Sequence, residues 1–176
     1  ALLGQPKNDS LGNLADGGYQ LDYLNADCDL PALGAQLKRA PESAGALCFY
    51  GAPGTGKSAL AHHLAQEMEL PLHARRASDI LGPYVGETEQ KIAHMFRQAQ
   101  QDGALLLLDE ADSFLSERQS AKNSWEVTAV NEMLTQMERF DGLFICSTNL
   151  MQRLDQASLR RVTLKIKFDY LKPEQR

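Results

Sequence analysis

No feature of this sequence restricts its fold as strongly as a Gly-rich loop set between a short apolar run and an amphipathic stretch. The loop reads Gly51-Ala-Pro-Gly-Thr-Gly-Lys57-Ser58 and has the GxxxxGK[ST] spacing of a P-loop. Before it, residues 47–50 read Leu-Cys-Phe-Tyr, a continuous apolar run suited to a strand buried on both faces, as in a parallel sheet. After it, Leu60, Leu64 and Met68 recur at helical spacing across residues 57–69. A strand, a loop and a helix in that order place inward-turned backbone N–H groups and the positive end of a helix dipole around one anion. Gly51, Ala52, Pro53, Gly54, Thr55, Gly56, Lys57, Ser58 and Ala59 are therefore the candidate nucleotide-binding residues. Lys57 is expected to reach the β- and γ-phosphates, and the Ser58 hydroxyl to ligate Mg²⁺.

The alternation of strand and helix continues along the chain. Leu30, Leu33 and Leu37 give a helix over residues 29–40, with Pro31 in its first turn. Residues 72–77 suit a short strand, and Ile92, Met95, Phe96 and Ala99 a helix over residues 88–101. Residues 104–108 form a second buried strand. Val127, Val130, Leu134 and Met137 mark a helix over residues 125–138, and residues 143–148 another strand. Leu164, Ile166 and Phe168 alternate with Lys165 and Lys167, the pattern of a half-exposed strand nearer a sheet edge. This order predicts an α/β fold with a mostly parallel sheet. Residues 1–20 are rich in Gly, Asn, Asp and Ser and read as a linker.

A second acidic element completes the phosphate chemistry. The apolar residues 104–108 deliver Asp109 and Glu110 at a strand's C-terminal end, where ligands bind in open α/β sheets. Asp109 is expected to hold Mg²⁺ through water, and Glu110 to polarise an attacking water. Ser147-Thr-Asn149 ends the next strand and places Asn149 to touch a γ-phosphate or that water. Arg160 and Arg161 are a pair of guanidinium groups on a helix end; one aimed at a γ-phosphate is worth ~10³–10⁵ in rate.

Composition narrows the partners. Lys plus Arg is 18 and Asp plus Glu is 23, a net charge of -5. A mildly acidic chain is a poor electrostatic match for DNA or RNA, so no nucleic-acid partner is expected. Asp109-Glu-Ala-Asp112 spells the letters of a helicase motif, but no basic, aromatic-lined strand for RNA accompanies it. Cys28, Cys48 and Cys146 are scattered and without a CxxC pair, which points to buried reduced thiols and a cytoplasmic protein. The longest apolar run is far below the ~20 residues that span a bilayer. No basic, apolar leader begins the chain and no initiator Met is present, so it reads as a piece of a larger protein.

Together these residues resemble the AAA family of the AAA+ ATPases over residues 21–170. More specific than the loop and the acidic pair is Leu81-Gly-Pro-Tyr84-Val85-Gly86-Glu87-Thr88-Glu89, which is similar to the family's first pore loop. Ser124 to Met137 resembles the helix that leads from the second pore loop, Asn149 matches sensor 1, and Arg160 and Arg161 match the arginine fingers. The resemblance implies a five-stranded parallel sheet between helices, in the order 5-1-4-3-2. It implies a homo-oligomeric ring, normally a hexamer, with ATP or ADP and Mg²⁺ at each subunit boundary. Lys57, Ser58, Asp109, Glu110 and Asn149 would act within one subunit, while Arg160 and Arg161 would reach the neighbour's γ-phosphate. Tyr84 and Val85 would line a central pore and grip a protein substrate, so that ATP hydrolysis remodels or unfolds it. A nucleotide-gated assembly module without threading is the alternative, and a nucleic-acid-stimulated ATPase a third.

The sequence departs from the family at three places. Val162-Thr163 stands where Phe-Asp usually follows the finger arginines, and Leu150-Met151 where Arg-Pro often follows Asn149. Residues 171–176 would begin the helical lid that carries sensor 2, and a chain lacking it is expected to bind nucleotide weakly. Tyr19, Tyr23 and Leu24 are the candidates to meet the adenine. His62 and His63 read as surface or packing residues.

Overall fold

The computed structural model describes residues 24–40, 45–113, 124–150 and 156–173. The expected linker, Tyr19, Tyr23, Met151 and residues 174–176 lie outside them. Among the described residues six strands form one sheet: β1 (Asn25–Ala26), β2 (Ala46–Gly51), β3 (Leu72–Arg76), β4 (Leu105–Asp109), β5 (Phe144–Thr148) and β6 (Leu164–Asp169). Their order across the sheet is β1-β6-β2-β5-β4-β3. Counted from β2, the five parallel strands run 5-1-4-3-2, as the resemblance implies. The expected five-stranded parallel sheet is present, and a sixth strand extends it at the β6 edge. The addition is the two-residue β1, which pairs antiparallel with β6 through Asn25 and Asp169.

Helices cover both faces. α1 (Leu30–Arg39) and α2 (Lys57–Glu67) pack on one, and α4 (Glu87–Asp102) and α5 (Ser124–Arg139) on the other. Short α3 (Ala77–Ile80) and α6 (Gln156–Arg161) are the other α-helices among the described residues, and a 3₁₀ turn covers Ala111–Ser113. α1 starts where Asp29 accepts the Ala32 N–H at 3.1 Å, and its buried residues are Leu30, Leu33, Gly34 and Leu37. α4 ends at Gly103 in a left-handed conformation, φ 61°.

The two-fold side-chain alternation of the strands divides the core. Leu105 and Leu107 join Leu47, Phe49, Leu60, Leu64, Ile145 and Ile166 beneath α1 and α2. Leu106 and Leu108 join Cys48, Cys146, Ile92, Phe96 and Phe144 beneath α4 and α5. All four leucines of β4 are fully buried, which is why that strand reads as an unbroken apolar run. β6 alternates, with only Ile166 and Phe168 buried. Cys48 and Cys146 are buried free thiols as expected; Cys28 is only half-buried.

Candidate active site

Parallel register brings the chemistry to one end of the sheet. β2, β3, β4 and β5 all finish at their C-terminal ends in Gly51, Arg76, Asp109 and Thr148. A cavity of about 470 Å³ opens there, lined by residues 53–59 of the loop, Arg76, Asp109, Glu110, Ser147 and Asn149. The structure thus gathers the loop, the acidic pair and Asn149 from segments far apart in the chain.

The loop's shape depends on its glycines. Gly51 leaves β2 with φ 148°, and a Cβ there would collide with the Phe168 carbonyl of β6. Gly56 precedes α2 with φ 93° and gives that helix no side-chain cap, so its first N–H groups are left for a ligand. Thr55 donates its hydroxyl to the Ala52 carbonyl at 2.7 Å and closes the loop on itself. Lys57 curls back over it, donating to the Gly51 and Ala52 carbonyls at 2.9 and 2.7 Å. Burial pushes the Lys57 ammonium below its ordinary pKa, and the nearby carboxylates of Asp109 and Asp112 oppose that shift.

Asp109 is the hub of the acidic side. Its carboxylate accepts the Ser58 hydroxyl at 2.8 and 2.9 Å, and also the Ser147 hydroxyl. Ser147 in turn accepts the Glu110 N–H at 3.4 Å. Ser58 and Asp109 are adjacent hard oxygen donors, the donor type Mg²⁺ takes alongside phosphate and water, so the residues present fit that ion. Glu110 has φ 57°, a left-handed conformation uncommon outside glycine that turns the chain sharply as it leaves β4.

Three further residues shape this region although no phosphate-binding motif marks them. Arg76 lines the cavity from the end of β3. Asp112 accepts the Thr148 hydroxyl at 3.0 Å and the Asn149 N–H at 3.4 Å, fixing the backbone that carries the Asn149 side chain. Tyr170 helps line a second hollow of about 290 Å³ that shares Gly54, Thr55 and Gly56 with the first. Leu24, one of the adenine candidates, also lines that hollow.

The remaining candidates lie apart from the cavity's lining. Tyr84 and Val85 are 77% and 91% exposed at the turn before α4. That turn is held on both flanks. Gly82 donates its N–H to the buried Thr88 hydroxyl at 3.1 Å, and Tyr84 donates its own to Glu87 at 3.3 Å. On α6 the two arginines differ. Arg161 donates Nε–H to Glu138 of α5 at 2.6 Å, whereas Arg160 is exposed. His62 is exposed and His63 lies 3.5 Å from Glu67.

Residues 47–170 match the family model described as "ATPase family associated with various cellular activities (AAA)". The chain belongs to the AAA family. Its AAA relatives include an ATP-dependent zinc metalloprotease FtsH from Lachnoclostridium phytofermentans, 31% identical over 81% of this chain and 25% of the relative. Protein CdcH from Halobacterium salinarum is 32% identical over 64% of this chain and 16% of its own length. Spastin from Drosophila erecta is 32% identical over 73% of this chain and 18% of its own. The chain therefore spans a quarter or less of the length of these relatives. Among the described residues no helix is long and apolar enough to cross a membrane.

Proposed function

We propose that this AAA-family chain binds ATP with Mg²⁺ at the strand ends and hydrolyses it. The observation that carries the reading is the Ser58–Asp109–Ser147 hydrogen-bonded cluster, set in one cavity with the P-loop, Glu110 and Asn149. The uncapped first turn of α2 and the loop amides bind the phosphates, and Lys57 neutralises charge on the β- and γ-phosphates. Ser58 and Asp109 would hold Mg²⁺, which when bound would supply charge neutralisation for the transferred phosphoryl group. Glu110 orients the attacking water, and Asn149 contacts that water or the γ-phosphate. The hollow beside Leu24 and Tyr170 takes the base.

Hydrolysis is completed between subunits of a homo-oligomeric ring, and it remodels a protein substrate. Arg160, exposed at the end of α6, reaches a neighbour's γ-phosphate, while Arg161 braces α6 against Glu138. Tyr84 and Val85 contact the substrate: an aromatic ring on a braced turn gives sequence-tolerant apolar contact with a passing polypeptide. The metalloprotease name of one relative includes ATP dependence, which supports the nucleotide reading.

The test is Glu110→Gln, measured for both binding and turnover. ATP binding is expected to persist while hydrolysis falls ~10²-fold or more, the usual scale for a positioned base. Turnover near the wild-type rate sinks the assignment. Tyr84→Ala separates threading from mere assembly: it should keep ATPase activity and lose substrate remodelling.

A further inference from the structure

The nucleotide cavity contains a cationic side chain that the loop does not supply. Arg76 is the last residue of β3, paired in parallel register with Asp109 at the end of β4. Neighbouring strands lie ~4.8 Å apart, so an arginine there stands within side-chain reach of everything Asp109 touches. The side-chain alternation fixes its direction. Leu72 packs with Leu105 and Leu107 on the face covered by α2. Counting by twos from Leu72, through Ala74, places Arg76 on that face too, with Asp109 and the start of α2. Its presence in the lining of the cavity agrees.

Among the described residues the guanidinium is also uncommitted to any carboxylate; the adjacent Asp79 accepts the Arg76 backbone N–H, at 3.4 Å. Arg76 is exposed, and its guanidinium makes no ion pair among the described residues. The nearest acidic group by register, Asp109, instead accepts two hydroxyls. Arg75, one residue earlier, provides the contrast. It is directed to the opposite face, donates to the Ala74 carbonyl at 2.8 Å, and does not line the cavity. A guanidinium without a carboxylate partner among the described residues, in a cavity it shares with the P-loop, has the fork of donors that matches a phosphate's oxygens.

We infer that Arg76 binds the terminal phosphate of the nucleotide in cis and sets the preference of this site for triphosphate over diphosphate. This rests on the nucleotide reading above and goes beyond it: the chain brings its own arginine to the γ-phosphate, in addition to any that a neighbour contributes. The position of Arg76 beside Asp109 and Glu110, rather than beside the loop's entrance at Gly51, puts it at the γ end of the phosphate chain. The α- and β-phosphates fall to the loop amides.

The test is equilibrium binding, without turnover, of ADP and of a non-hydrolysable ATP analogue, each with Mg²⁺. It compares the wild-type chain with Arg76→Ala, Arg76→Lys and Arg75→Ala. Arg76→Ala removes a charge-assisted bidentate pairing that only the triphosphate can make. It should weaken the analogue about tenfold or more and ADP less than about twofold. Arg76→Lys, which keeps the charge but not the fork, should fall between, and Arg75→Ala should match wild type. Equal weakening of both nucleotides by Arg76→Ala would assign the residue to the loop or the fold. No change would remove it from the site, and tighter analogue binding would mean that it opposes ATP; each of these overturns the inference. Thermal unfolding without nucleotide should be the same for Arg76→Ala and wild type, because the guanidinium makes no ion pair among the described residues. Failure of the wild-type chain to bind ADP would instead overturn the nucleotide reading itself.

Discussion

Asp112 is the residue whose removal best separates local architecture from chemistry. It lies on the 3₁₀ turn after β4, half-buried, and accepts the hydroxyl of Thr148, which is completely buried. In Asp112→Ala that hydroxyl loses its acceptor, and the weaker 3.4 Å bond from the Asn149 N–H goes as well. A hydrogen bond to a charged group contributes ~1.5–3 kcal/mol. The lower part of that range applies because Asp112 itself is partly solvated, so the expected cost is about 2 kcal/mol. With a urea slope of ~2 kcal/mol/M, the unfolding midpoint should drop by about 1 M. Thr148→Val alone should cost less, about 1 kcal/mol, since water can serve both the carboxylate it abandons and the N–H of exposed Leu150, which donates to the Thr148 hydroxyl at 3.1 Å. Once Thr148 is Val, removing Asp112 no longer orphans a buried hydroxyl. The double variant should therefore be less damaged than the sum, by about 1 kcal/mol, in a double-mutant cycle of urea unfolding without nucleotide. Additivity within ~0.3 kcal/mol would refute the coupling and with it the view that Asp112 fixes the end of β5. With the coupling present, Asp112→Ala should also lower kcat more than it raises KM, because Asn149 would no longer be held in position.

Phe96 is 2% exposed and packs against Phe140 and Phe144 at ring separations of 5.5 and 5.3 Å, so Phe96→Ala should cost ~3–5 kcal/mol in urea unfolding. Gly51→Ala forces a Cβ against the Phe168 carbonyl at a φ that alanine resists; it should destabilise by ~1–3 kcal/mol or more and abolish ADP binding by calorimetry. Glu138→Ala breaks only a partly exposed ion pair, so stability should change by less than ~1 kcal/mol. Arg160→Ala should remove the rise of specific ATPase activity with protein concentration, and Glu138→Ala should only reduce it. Equal effects would mean that Arg160 and Arg161 act alike.

What the sequence revealed of the fold follows from how its elements are buried. β2, β4 and β5 are covered on both sides and appear as apolar runs; α1 and α4 bury the very positions their spacing selects, Leu30, Leu33 and Leu37, then Ile92, Met95, Phe96 and Ala99. β6 betrays itself by alternation. β1 could not be seen this way. Two residues carry no period, and the strand exists because Asp27 and Lys167 bond each other's backbone regions across the chain, with Lys167 donating its N–H to Asp27 at 2.9 Å. Distance in sequence hid part of the site for the same reason. The loop and Asp109-Glu110 announce themselves because their residue types and spacing are local. Arg76 does not, since Arg75-Arg76 at the end of a short strand reads as a solvated pair until register puts one of them beside Asp109 and the other on the opposite face. Asp112 is similar: as the last letter of Asp109-Glu-Ala-Asp112 it suggests a helicase motif, and only its contact with Thr148, 36 residues away, gives it a part in the candidate site. Local pattern therefore exposes the candidate nucleotide-binding groups that lie on a continuous stretch of chain. Groups that act through a neighbouring strand become visible only when the sheet order β5-β4-β3 is known. In a parallel sheet the C-terminal strand ends form one row, so each residue that ends a strand beside β4 is a candidate for the site whatever its sequence context.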